Sequence, residues 1–209
     1  MLKKTGDEFM DLLEIELLDA GVPIKNGLDG TPMNPTSVLV NYEVSVKPFV
    51  NIILKYAPKL EMSKKTWIAR CLSEKGNKQA VPFLLSIFND YYGEKIDLWG
   101  VGNALYVIDD KSSYPTIIEI CKNPKFGSAR QMLMGTLAKA KSPEAYKVLI
   151  DCLDDKTVRG HAIEGLGRFG SVDAIPVLEN LNVEKGLYEF KAREAALKRL
   201  TKKLENTTS

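Results

Sequence analysis

The apolar positions of this chain recur with the spacing of helices, and the helices themselves recur. Ala80-Val81-Pro82-Phe83-Leu84 and Ala174-Ile175-Pro176-Val177-Leu178 are near copies, each starting four residues after a glycine (Gly76, Gly170) and eight after a leucine (Leu72, Leu166). Two further copies fill the gap. Leu72, Leu105, Leu137 and Leu166 lie 33, 32 and 29 residues apart, and Pro82, Pro115, Lys147 and Pro176 keep those same three spacings. Two landmarks that agree on three spacings define a repeat of about thirty residues, the size of a supersecondary unit that stacks on copies of itself.

Each copy follows one grammar. A first apolar-periodic segment of about three turns ends at a glycine or a polar residue, the signature of a helix C-cap. A second helix follows, often with proline in its first turn, where the missing N–H costs nothing. Its apolar residues return at i, i+3 and i+4, as in Leu84, Ile87 and Phe88. The spacing predicts helix pairs near 64–90, 96–122, 128–154 and 158–182, with nine helices and no strand over 64–200. It also places Leu72, Leu105, Leu137, Leu166 and Leu200 at equivalent buried contacts between repeats.

Both ends extend the pattern. Ala192-Arg193-Glu194-Ala195-Ala196-Leu197-Lys198-Arg199-Leu200 matches Val158 to Leu166 position by position and predicts a fifth first helix over 190–205, before the polar Asn206-Thr207-Thr208-Ser209. A terminal helix of this kind closes the exposed core of a stack. Upstream, Val46-Lys47-Pro48-Phe49-Val50 matches Ala80 to Leu84 and predicts the second helix of an N-terminal pair spanning 7–58, with the amphipathic segment Asp7 to Ala20 as its partner. The stretch 21–37, with Pro23, Asn26-Gly27, Asp29-Gly30, Pro32 and Asn34-Pro35, reads as a long loop. Residues 38–46 carry two readings: Val38, Val40, Tyr42, Val44 and Val46 alternate as in a strand, while the repeat register asks for helix. An irregular segment is the expectation there.

The run Val158-Arg159-x-x-Ala162-x-x-x-Leu166-Gly167, then Gly170, then Ala174-Ile175-Pro176-x-Leu178, resembles the short HEAT repeats named for phycobilin lyase subunits. The resemblance covers 64–200 most clearly and extends to 7–58. Two departures are Leu98 in place of the arginine and Lys147 in place of the proline. The resemblance implies an all-α fold, an α-solenoid of about five antiparallel helix pairs with a terminal capping helix, in a single domain over 1–209. It implies function less sharply, since such repeats serve scaffolds, lyase chaperones and immunity-type proteins alike.

Composition narrows the function classes. Hydrophobic residues at 44% and charged residues at 27% exclude a disordered or low-complexity chain. Twenty-nine Lys and Arg against 27 Asp and Glu leave a net charge of +2, so any electrostatic argument rests on placement. Met1-Leu2-Lys3-Lys4 runs into Asp7, Glu8 and Asp11 with no apolar stretch of signal-peptide kind, and no segment has membrane-spanning length. Cys71, Cys121 and Cys152 lack CxxC spacing, which argues against a disulfide framework or zinc site and for a reduced, cytoplasmic protein.

Three features carry possible chemistry. Gly165-Leu166-Gly167-Arg168-Phe169-Gly170 fits GxGxxG, but sits at the end of a helix rather than between strand and helix, so no dinucleotide cofactor is expected. His161 is the single histidine and falls in a row with Trp67, Gly100, Met132 and Ala195, which reads as a half-buried helix position rather than a base or metal ligand. Trp67, Trp99, Tyr91, Tyr92, Tyr106 and Tyr114 invite comparison with aromatics that stack on flipped bases, yet most fall at helix starts and turns, where aromatics seal a core. No catalytic residue and no metal ligand is assigned.

The second helices of HEAT stacks line a concave face, and the register lists their solvent-facing positions: Gln79, Ser112, Glu144, Asp173; Ser86, Glu119, Asp151, Asn180; Asp90, Asn123, Asp155, Glu184. Seven of these twelve are acidic and none is basic. Helix N-termini favour acids, which accounts for the first row but not the other two. Arg130, Arg159 and Arg193 share one first-helix position, which the register puts on the opposite side. The expectation is a non-catalytic protein-interaction module that uses Ser86, Asp90, Glu119, Asp151, Asp155 and Asn180 to bind a protein with a basic surface. One alternative is an immunity-type inhibitor of a toxin. Another is a nucleic-acid binder of the helical DNA-glycosylase kind, disfavoured because acid lines the groove.

Overall fold

A computed structural model describes residues 4–41, 44–91 and 96–208. The chain divides into two compact units, Met1–Asp110 and Lys111–Ser209. Among the described residues there are twelve α-helices and no named strand, so the protein is all-α. Over 64–200 the expected nine helices are present among the described residues.

In Met1–Asp110 the helices are α1 (Glu8–Asp19), α2 (Pro35–Asn41), α3 (Val50–Tyr56), α4 (Met62–Cys71), α5 (Val81–Asn89) and α6 (Trp99–Ile108). The first helices α2, α4 and α6 pack side by side in that order, while α1 lies on α2 and α3. The expected pairing of Asp7 to Ala20 with the second helix holds, since α1 packs on α3, but an additional helix, α2, starts at Pro35, so the loop ends at residue 34 rather than 37. The reason is a cap supplied from afar. Buried Glu14 of α1 accepts hydrogen bonds from the Thr36 N–H (2.9 Å) and hydroxyl (2.5 Å), satisfying donors at the start of α2. Val38 and Val40 are therefore helical, Val44 and Val46 are not, and Tyr42, like Met1, Leu2 and Lys3, lies outside the described residues. The loop itself closes on Gly27 N–H to Thr31 O (2.8 Å) and Met33 N–H to Lys25 O (2.8 Å).

In Lys111–Ser209 the helices are α7 (Tyr114–Lys122), α8 (Ala129–Ala140), α9 (Pro143–Asp151), α10 (Arg159–Phe169), α11 (Ala174–Glu179) and α12 (Tyr188–Thr208). First helix α10 lies between first helices α8 and α12, and second helix α7 packs on α8 and α9. The terminal helix is longer than the expected 190–205, running from Tyr188 through the polar tail to Thr208. It closes the stack with buried Ala192, Ala196 and Leu200. The missing proline at Lys147 also has a local explanation. Helix α9 starts a turn earlier, with Pro143 at its first position and the Ser142 hydroxyl accepting from Ala145 N–H (3.1 Å).

The repeat fixes its helix ends as well as its core. Four residues after each landmark leucine the backbone turns left-handed: Gly76 (φ +77°), Asp109 (φ +59°), Lys141 (φ +54°) and Gly170 (φ +75°). Glycine fits that geometry without cost, so Gly170 ends α10 where a side chain would be strained. The other glycines of α10 answer to packing. A Cβ on Gly167 would lie 2.9 Å from Cβ of Ala196 on α12, and one on Gly165 would lie 2.6 Å from Leu149 Cδ2 and 3.1 Å from Met134 O. The GxGxxG run is thus a close-packing surface.

Leu72, Leu105, Leu137, Leu166 and Leu200 are all buried, as the register requires. Truncating Leu137 or Leu166 to alanine removes atoms from the α8–α10–α12 seam and should cost about 2–5 kcal/mol in denaturant unfolding. A loss below about 1 kcal/mol at both, the scale of surface changes, would contradict this packing.

Candidate functional site

The structure treats the six register-derived positions differently. In Met1–Asp110, Ser86 is half-buried on α5 and its hydroxyl donates to Phe83 O (2.8 Å). Asp90 caps the same helix and pairs with Lys65 Nζ (3.2 Å). In Lys111–Ser209, Glu119 is exposed on α7 and pairs with Lys122 Nζ (2.6 Å), which also reaches Glu144 of α9 (2.5 Å). Asn180 is exposed and donates to Pro176 O (2.8 Å). Asp151 is exposed at the end of α9, with no ion pair or hydrogen bond through its carboxylate among the described residues. Asp155 is half-buried and bonded to Arg130 Nη2 and to Thr157 N–H (2.8 Å).

The arginine row does not form a basic outer face, and this is the main correction to the sequence reading. Arg130 is only 3% exposed. Its Nη1 donates to Cys121 O (3.4 Å), Arg159 Nε to Leu153 O (2.6 Å) and Arg193 Nη1 to Leu181 O (2.9 Å). Each guanidinium meets carbonyls at or just beyond the end of the preceding second helix, where orphan acceptors and the helix dipole both favour a cation. Lys65 occupies the same register and pairs with Asp90, 25 residues on; Arg130 pairs with Asp155 at the same separation. The third acidic row is therefore partly consumed inside the repeat by the cations that were expected to oppose it.

What remains is a smaller acidic patch. A cavity of about 380 Å³ opens between α7 and α9, and its walls include Lys122, Pro124, Arg130, Val148 and the carboxylates Asp151, Asp154 and Asp155. Asp154 is exposed and, like Asp151, free of ion pairs among the described residues. The register missed it, because it lies in the short 3-10 turn Cys152–Asp154 that follows α9. Its signal in the sequence was the run Asp151-Cys-Leu-Asp154-Asp155, read only at two of its three acids.

Electrostatics follow from these contacts. The Lys122 ammonium is held above its ordinary pKa by hydrogen bonds to Glu119 and Glu144, and Glu144 is lowered by Lys122 in return. Burial works to raise the Asp155 pKa, but the Arg130 hydrogen bond and Thr157 N–H outweigh it and the net shift is downward. Burial pushes the Cys152 thiol up to about 11 and raises Cys71 and Cys121 further, so all three behave as core thiols rather than nucleophiles. His161 is half-buried against the Tyr188 ring at 5.3 Å, and burial lowers its pKa. Tyr91, Tyr106 and Tyr114 are half-buried, Trp99 is exposed, and Tyr92 lies outside the described residues. Among the described residues no group of His, Cys, Asp and Glu is arranged to hold a metal ion, and no helix is long and apolar enough to cross a membrane.

Residues 114–198, from the start of α7 into α12, match the family model of HEAT repeats, and this part of the chain is a run of HEAT repeats. The match supports the broad repeat class and not the narrower phycobilin-lyase subtype. No curated protein and no solved structure matched the chain. HEAT repeats are interaction scaffolds, which is the level of function the match supports.

Asp155 should act on stability. Replacing it with alanine strands the buried Arg130 charge and should cost about 3–5 kcal/mol. Its depressed native pKa contributes stability above the unfolded-state value near 3.8, and that contribution is lost as pH falls through the lower folded value. Asp155→Ala should therefore flatten the acid limb of the stability profile. A cost under about 1 kcal/mol with an unchanged acid limb would return Asp155 to the solvent-facing set.

Proposed function

We propose that this protein is a non-catalytic interaction module whose second-helix surface in Lys111–Ser209 binds a protein partner through a basic patch. One observation carries the reading. Asp151 and Asp154 stand exposed and unpaired beside an open cavity, while the neighbouring acids are already neutralised by Lys122 and Arg130. Unpaired surface carboxylates attract a complementary cation without first breaking an internal pair, and such complementarity acts mainly on the association rate. An arginine or lysine side chain suits the cavity, with its stem on Val148 and Pro124 and its charge between the two aspartates. An immunity-type protein that masks a toxin with a basic surface is one specific form of the same reading. Three unpaired, buried thiols suit a reducing compartment such as the cytoplasm.

The test uses an oligo-arginine peptide as the basic probe, titrated at low and at moderate salt. Binding should weaken with salt, and Asp151→Lys combined with Asp154→Lys should weaken it roughly tenfold, about 1.4 kcal/mol. Asp19→Lys, at an exposed position outside this surface, should leave it unchanged. Equal binding by the double variant would remove the proposed surface. Tight low-salt binding of duplex DNA instead of the peptide would replace this reading with a nucleic-acid one.

A further inference from the structure

One cluster in Met1–Asp110 is not required by the repeat. In register, Trp67 aligns with Gly100, Met132, His161 and Ala195; Arg70 with Asn103, Gly135, Glu164 and Lys198; and Trp99 with Thr66, Gln131, Gly160 and Glu194. No other repeat carries a tryptophan or an arginine at these places. Here the stack carries two indoles and a guanidinium on the adjacent helices α4 and α6.

The cluster is held in a defined geometry. Glu14 binds Thr36, and the Thr36 hydroxyl accepts from Trp67 Nε1 (3.2 Å), which fixes the indole. The Arg70 guanidinium then lies over that ring, 5.3 Å from its centroid. Gly100 leaves room for the arginine stem, since a Cβ there would come within 3.1 Å of Arg70 Cγ. The head group is exposed and has no ion pair or hydrogen bond among the described residues. Trp99, 39% exposed, stands beside it at the start of α6.

Two cavities, of about 560 and 340 Å³, share Arg70 and Trp99 as walls. The larger adds apolar Leu39 and Val46 with polar Ser73 and Asn103. Two carboxylates also reach these walls, and both are engaged: Glu74 with Lys47 (3.3 Å) and Val46 N–H (2.8 Å), Asp97 with Trp99 N–H (2.9 Å). Arg70 is thus a pre-positioned cation, unpaired among the described residues, at the junction of two lobes with mixed polar and apolar walls.

We propose that this cleft binds an acidic peptide segment of a protein partner, with one Asp or Glu side chain on Arg70 and a neighbouring apolar side chain on Trp99. The cleft continues on both sides of Arg70, which suits a chain running past the cation rather than ending on it. A planar guanidinium accepts a carboxylate in a two-point contact, and an exposed indole supplies apolar area at low entropy cost. Glu74 and Asp97 in the walls disfavour a polyanion such as a nucleic-acid backbone, whose successive phosphates would meet them. The proposal is independent of the acidic surface formed by Asp151 and Asp154, and calls for a partner segment of opposite charge.

The test is a titration of the intact protein with acetyl-Ala-Phe-Glu-Leu-Ala-amide, its Glu→Gln counterpart and an oligothymidylate, read on the two indole N–H signals in ¹H–¹⁵N spectra. The Glu peptide should shift the Trp99 signal and bind about tenfold more tightly than the Gln peptide. Arg70→Gln should abolish that preference while leaving the backbone amide signals outside α4 and α6 and the weak binding of the Gln peptide unchanged, which separates loss of the site from loss of the fold. Equal affinity for the two peptides, a preference that survives Arg70→Gln, or no response at Trp99 would each overturn the proposal. A shift of Trp99 by oligothymidylate at the concentrations where the Glu peptide is silent would assign the cleft to nucleic acid instead.

Discussion

The close approach of α8, α10 and α12 is the contact on which Lys111–Ser209 depends. Helix α10 presents Gly165 towards α8 and α9 and Gly167 towards α12, at distances where a Cβ would collide. Gly160 likewise faces the Tyr188 ring. Small residues let the helix backbones come near enough for Leu137, Leu166 and Leu200 to be enclosed on all sides. Helix-interior glycine costs about 1 kcal/mol relative to alanine, so its use three times in one helix is repaid only by the packing it permits. With the first helices bearing the load, the outward surfaces of the second helices are released from core duty.

Charge is divided along the same line. Arg130, Arg159 and Arg193 run from first helices to the carbonyl ends of the preceding second helices, tying one layer to the other. Lys141 and Lys203 serve α10 in the same way, donating to Arg168 O (2.8 Å) and to Gly170 O respectively. These cations stabilise helix C-termini, so the arginine row does not form a basic face. Some of the acids, Glu119, Glu144 and Asp155 among them, are engaged in internal pairs. Among the described residues, two places combine an exposed, unpaired charge with a cavity: Asp151 and Asp154 in one unit, Arg70 in the other.

The sequence displays the repeat because periodic leucines, left-handed caps and first-turn prolines all obey local rules that survive without a three-dimensional context. The same rules mislead where a contact comes from far along the chain. Helix α2 was hidden among turn residues and alternating valines because its cap, Glu14, sits 22 residues upstream of Thr36. The arginine row was visible as a row, but its direction was not, since a long side chain on one helix can reach across to the neighbouring layer. Asp154 escaped because a short turn shifts the register by less than one helical turn. Trp67 and Trp99 were singled out together and proved different: one is anchored to Thr36, the other stands in solvent.

Amide hydrogen exchange across the native chain tests most directly the claim that the first-helix seam carries the fold. In Lys111–Ser209 the amides of α8 and α10 should exchange last and with one common opening free energy, while α11 and residues 201–208 should open well before them. Equal protection in α10 and α11, or earlier opening of α10, would contradict the account.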